Sequence, residues 1–180
     1  MSKALWGGAL TFVPLVNFVS FGYLMEYVLR LKRTREWELP EWRDFSPMEL
    51  FSSGCKFFGL LLGYIGIPLL GGWLLSVLLG FLTLDLLGVL AYAPLGIGVF
   101  VGTFLFVTAV GEYARDGLYA DAWRFREVSV LAGKVWQGLL FPILAFWGLC
   151  LLAFPLYGFA FFLGTWVLLS YSTALFAGIE

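Results

Sequence analysis

Histidine is absent from this 180-residue chain. That excludes bis-histidine haem, His-ligated pigment, HExxH metal centres, and Ser-His-Asp or Cys-His catalysis. Cysteine is scarce, with Cys55 and Cys150 the two present. They fall at opposite ends of different apolar runs. A bilayer core is about 30 Å thick, whereas disulfide-linked Cα atoms lie within about 7 Å. Both thiols are therefore expected to be free and to serve as small packing residues. Charge is equally sparse: 13% of residues are charged and the net charge is −1, so there is no basic field to recruit nucleic acid.

What is present instead is apolar length. Residues 4–25, 57–84, 86–111 and 135–179 carry no charge. A helix needs about 20 apolar residues to cross a bilayer, and unpaired backbone in lipid leaves helices or closed barrels as the available shapes. These runs predict an all-α, polytopic transmembrane bundle forming one integral-membrane domain over residues 1–180. About five spans are expected, at 4–29, 57–79, 87–110, 135–154 and 156–177. Pro14 offers an alternative to the first span, a broken helix or hairpin that returns the N-terminus to the cytoplasm.

Ten of the eleven basic residues lie in two windows, Arg30 to Lys56 and Arg115 to Lys134. Lys and Arg accumulate in cytoplasmic loops. Segments 30–56 and 111–134 are thus expected in the cytoplasm, as parts of a multi-pass protein of the inner (cytoplasmic) membrane. Five spans then put the N-terminus outside and the C-terminus in the cytoplasm. Both windows also hold acidic residues, which favours mixed-charge solvated loops over sites for an anionic lipid headgroup.

Ser46-Pro47-Met48-Glu49 has the pattern of a helix start, with Ser as cap, Pro at the first position and Glu three residues after the cap. It predicts a short interfacial helix feeding the second span. Thr83-Leu84-Asp85 and Pro155 mark turns between spans. Trp37, Trp42, Trp123 and Trp136 suit an aromatic belt, and Trp123, Phe125 and Val128 are expected to face the membrane. Glu26-Tyr27, Trp42-Arg43, Gly54 and Gly59-Leu60-Leu61 recur in order as Glu112-Tyr113, Trp123-Arg124, Gly133 and Gly138-Leu139-Leu140. The recurrence predicts a parallel internal repeat, with both copies the same way up.

Few residues are candidates for chemistry. Asp85 reads as a cap at the outer turn, or as a proton or cation site. Glu26 with Arg30, and Glu112 with Arg115, have the spacing of helical ion pairs or could line a shared polar site between the repeats. Asn17 suits an interhelical hydrogen bond. Gly59 with Gly63 and Gly98 with Gly102 are candidate helix-packing faces. Glu41, Asp44, Asp116 and Asp121 match no metal motif by spacing, so neither a metal nor another cofactor is expected.

Gly22-Tyr23, Arg30, Leu39-Pro40-Glu41-Trp42 and Gly54 resemble the first signature of the domain of unknown function 4013. Tyr113-Ala114 and Asp121-Ala122-Trp123-Arg124-Phe125-Arg126-Glu127 resemble its second, with Trp at 123 where Phe is more usual. The resemblance implies a polytopic membrane protein and carries no catalytic residue with it. The expected function is a non-catalytic accessory or scaffold subunit, in contact with membrane lipids and other membrane-protein subunits. The alternative is a small transporter or channel with its pathway at the repeat interface.

Overall fold

Pro14 divides the first apolar run. In a computed structural model that describes residues 2–84 and 86–178, the run forms α1 (Ser2–Thr11) and α2 (Val16–Thr34). Proline disfavours helical geometry in the residue before it and cannot donate a backbone hydrogen bond. Leu15, which follows, sits in the positive-φ region at 71°. At 1.5 Å per residue α1 is about 15 Å long, roughly half of a bilayer core. The hairpin is pinned from inside: the Thr11 and Ser20 hydroxyls both donate to Gly7 O, at 2.9 and 2.6 Å.

Lys3, at the start of α1, returns to the first charged window. Its Nζ donates to Leu39 O at 2.9 Å and pairs with Glu41 at 2.6 Å. Trp42 Nε1 donates to Lys3 O at 3.4 Å. The expected single span at 4–29 is therefore corrected to a hairpin. Lys3 lies on the same side as the window, not across the membrane from it. Charge bias had pointed the other way because it weighs one lysine against four following basic residues and carries no information on whether the run folds back at Pro14.

The second span starts as its sequence predicts. Ser46 accepts from Glu49 N at 3.2 Å, and Glu49 accepts from Ser46 N at 2.9 Å. The helix that follows is not a separate surface element. α3 (Pro47–Leu61) runs through a π-helical segment, Leu62–Gly66, into α4 (Ile67–Leu82). No proline interrupts it before Pro68. The wider π turn lies just before Pro68, where an ordinary turn would set the ring against the preceding carbonyls.

The rest follows the expected turns closely. α5 (Ala93–Asp116) is entered through a 3-10 turn, Gly88–Tyr92, and α6 (Phe125–Leu152) is joined to α7 (Tyr157–Ala177) across Pro155. Among the described residues four segments are long and apolar enough to cross a membrane: Pro47–Leu82, Gly88–Asp116, Phe125–Leu152 and Phe154–Ala177. Replacing the first of five expected spans by a hairpin accounts for the difference. The described residues contain no strand, and the fold is an all-α membrane bundle.

Aromatic rings fill the middle. Phe21 stacks on Phe57 at 4.9 Å, and Phe57 meets Phe106 edge-on at 5.1 Å. Phe161 reaches both Phe21 and Phe146. α2 and α3 cross backbone to backbone at Gly22 and Gly54. α4 and α5 form an antiparallel hairpin whose outer face exposes Ile67, Leu70, Phe81 and Ile97.

The two charged windows meet at one end of the bundle. Lys56 Nζ donates to Tyr113 OH at 3.4 Å, and Tyr119 OH donates to Lys56 O at 3.1 Å. The end of α7, at Thr173 and Ala177, shares a cleft with Lys32 and Arg35. The windows also follow similar paths. Each begins at a left-handed C-cap, Arg35 (φ 59°) or Gly117 (φ 77°), and each holds a 3-10 turn, Trp42–Asp44 or Asp121–Trp123, before the next long helix.

Candidate functional site

Each window is held by a tryptophan laid on a tyrosine. Tyr23 stacks on Trp42 at 4.0 Å and donates to Pro40 O at 2.7 Å. Tyr64 stacks on Trp123 at 5.8 Å and donates to Ala122 O at 2.6 Å. The loops are thereby anchored to α2 and to the π segment. Trp123 and Phe125 are exposed as expected, whereas Val128 is fully buried. It occupies the inward face of the first turn of α6, a position that apolarity alone does not distinguish from a lipid-facing one.

In the first window the expected Glu26–Arg30 pair is not formed. Glu26 accepts a hydrogen bond from the Ser53 hydroxyl on α3. Arg30 turns outward to Asp44 at 3.2 Å and Glu36 at 3.5 Å. Loop acids compete successfully because both arms of an exposed guanidinium can be used at once.

The second window does form its pair. Arg115 Nη1 lies 2.9 Å from Glu112 Oε2, and Arg115 Nη2 lies 4.0 Å from Glu127. Glu127 continues to Arg124 at 3.5 Å, which reaches Asp121 at 3.1 Å. Glu112 is 5% exposed. Its Oε2 is close to the guanidinium but accepts no hydrogen bond from it. The Asp121 carboxyl is pushed above its ordinary range by its hydrogen bond with Asp116, with burial adding to the effect.

The polar candidates therefore separate into two groups. Glu26 and Arg30 engage Ser53, Glu36 and Asp44; Glu112 and Arg115 engage Glu127. No contact among the described residues joins the two groups into a shared site. Asn17 lies just past the α1–α2 turn, with its Oδ1 buried and without a hydrogen-bond partner. Asp85 lies outside the described residues. Glu41, Asp44, Asp116 and Asp121 do not converge: among the described residues no group of three or more acids or thiols is placed to hold a metal ion.

All four candidate packing glycines face the chain itself. A Cβ on Gly59 would meet the Tyr119 hydroxyl at 2.5 Å, and one on Gly63 would meet the Trp123 ring at 2.5 Å. On α5, Gly98 opposes Pro68 O and Gly102 opposes Tyr64 O, at 2.5 and 2.6 Å. Between α3, α5, α6 and α7 remains an apolar cavity of about 120 Å³, bordered by Phe57, Phe106, Phe146, Trp147 and Phe161. Thr103 borders it too, with its hydroxyl engaged by Trp147 Nε1 at 3.0 Å and by its own helix at Val99 O.

Sequence reading missed the tyrosine–tryptophan anchors and the cations Arg126 and Lys134, which have no ion pair among the described residues. For the anchors the available signal was a buried tyrosine, whose hydroxyl needs a partner. A family model described as protein of unknown function (DUF4013) matches residues 7–171. No curated protein and no solved structure matches the chain.

Proposed function

The chain belongs to the DUF4013 family, and we propose that it is a non-catalytic accessory or scaffold subunit of a larger complex in the cytoplasmic membrane. The closed aromatic centre carries this reading. A pathway for a polar solute needs polar groups at membrane depth. Here the central space is a small apolar cavity ringed by phenylalanines, and a cavity of that character stays dry.

The glycine faces are filled from within, so partner contact is assigned to the apolar outer surfaces. The basic windows face the cytoplasm in this reading, as the positive-inside bias favours. With Lys3 beside Glu41 and the end of α7 beside Arg35, the start of α1 and the end of α7 then lie on that side. The partners are membrane lipids and other membrane-protein subunits; nucleic acid is not among them.

Purification in a mild detergent, with mass measured before and after stronger detergent, tests the proposal. A larger assembly of fixed stoichiometry is expected. A lone monomer or homo-oligomer that supports solute flux in sealed vesicles would overturn it and favour transport.

A further inference from the structure

We propose that the cleft between α5, α6 and α7 at the second window binds the phosphodiester of a glycerophospholipid whose headgroup carries a hydrogen-bond donor. The cleft is about 480 Å³, within the range of small-molecule sites. Its charges are not balanced locally. Arg115 is engaged by Glu112 and Glu127, and Glu127 also reaches Arg124. The acids are thus paired in charge inside the window. Arg126 and Lys134 are left with no ion pair or hydrogen bond among the described residues.

Those two cations flank Val130 along α6 at four-residue steps, so the three occupy neighbouring turns. An exposed arginine and lysine at this spacing offer charge-assisted hydrogen bonds to phosphate oxygens. Mixed-charge loops ordinarily satisfy themselves; here the geometry leaves a net cationic pair at the mouth of a cleft.

Two further observations point to a lipid. Glu112 lines the cleft, is 5% exposed, and its Oε2 accepts no hydrogen bond. The Arg115 guanidinium, 2.9 Å away, balances its charge but donates no hydrogen bond to it, and a buried acceptor left so is costly. An ammonium or hydroxyl next to the phosphate would supply one, as phosphatidylethanolamine or phosphatidylglycerol can. The choline headgroup has no such donor. Beside the charged groups, Leu131, Val130 and Phe176 give the cleft an apolar wall. It lies where α5 and α7 end and α6 begins, at the boundary of three apolar spans, so acyl chains can continue into the bilayer.

Native mass spectrometry of the full chain tests this. It is titrated with phosphatidylglycerol, phosphatidylethanolamine or phosphatidylcholine of matched chains, and separately with glycerol 3-phosphate. The first two lipids are expected to bind about tenfold more tightly than phosphatidylcholine, the effect of one hydrogen bond to a charged group. Arg126→Gln with Lys134→Gln changes exposed side chains, leaves the bundle intact, and should weaken binding of all three lipids at least tenfold. Glu112→Met, which removes the acceptor at similar size, should abolish the preference over phosphatidylcholine while leaving phosphate-dependent binding in place.

Equal binding of the three lipids by the wild type would overturn the headgroup assignment. Unchanged binding by the Arg126/Lys134 double variant would overturn the phosphate assignment. Full displacement of phosphatidylglycerol by an equal concentration of glycerol 3-phosphate would show a free phosphate-ester site and overturn the lipid assignment.

Discussion

Replacing Gly22 with alanine should destabilise the bundle, and its magnitude follows from the α2–α3 crossing. A Cβ at Gly22 would stand 2.7 Å from the Leu50 carbonyl carbon and 2.8 Å from Gly54 N, with the Leu50 oxygen nearer still. Relaxed carbon contacts are about 3.5–4.0 Å. The neighbours are backbone, so no rotamer change relieves the overlap and the helices must separate by about 1 Å. Overpacking of this kind costs about 3 kcal/mol, the upper part of its usual range. Alanine returns about 1 kcal/mol of helix propensity. The net loss is about 2 kcal/mol, roughly thirtyfold in the folded-to-unfolded ratio. Gly133→Ala is the matched control. Nothing lies within 4 Å of its Cβ position, so it should gain about 1 kcal/mol from propensity alone. Subtracting one variant from the other cancels propensity and leaves the packing cost of about 3 kcal/mol. Unfolding in mixed micelles, followed by tryptophan fluorescence, measures both. Equal stabilities for the two variants would refute the close crossing.

Three other outcomes follow from the same geometry. Single cysteines at Lys3, Glu38 and Leu118 in a chain lacking Cys55 and Cys150 should react with an impermeant maleimide from one side, and a cysteine at Leu84 from the other; opposite labelling of Lys3 and Glu38 would rule out the α1–α2 hairpin. Ser46→Ala should cost about 1 kcal/mol and Ser46→Asp much less, since Asp can also cap Glu49 N; equal losses in an unfolding titration would show that the cap contributes nothing. Asp121, raised above its ordinary value, favours the protonated form on folding, so its contribution is complete below about pH 3.9 and is lost as pH rises through the raised value. Asp121→Asn keeps a neutral side chain throughout and should flatten the pH dependence of the unfolding midpoint above about pH 4; a profile identical to wild type would count against the Asp116–Asp121 hydrogen bond.

Local chemistry was legible in the sequence wherever neighbouring residues decide the outcome. Ser46 and Glu49 form a reciprocal cap because four residues contain both partners. Thr83 ends α4 with its hydroxyl on Leu79 O at 2.7 Å, and Pro155 sits in the turn between α6 and α7. Glu112 finds Arg115 one turn away. The readings that failed depend on distant residues. Uncharged length cannot separate a span from a hairpin; Pro14 permits the break, but Gly7, Ser20 and Glu41 hold the folded-back arm in place. A small-xxx-small motif announces a close approach without naming what approaches. Gly59 and Gly63 receive the Tyr119 and Trp123 side chains from a loop more than fifty residues later, whereas Gly98 and Gly102 receive the backbone of the neighbouring helix. The same limit explains Glu26: i,i+4 spacing made Arg30 available, but Ser53 lies across the interface opened by Gly22 and Gly54. Those two glycines thus control more than packing, because they bring α3 near enough for Ser53 to take the carboxylate and release Arg30 to the window. Widening the crossing at Gly22 should return Glu26 toward Arg30, which couples the fold's closest contact to the charge pattern on its surface.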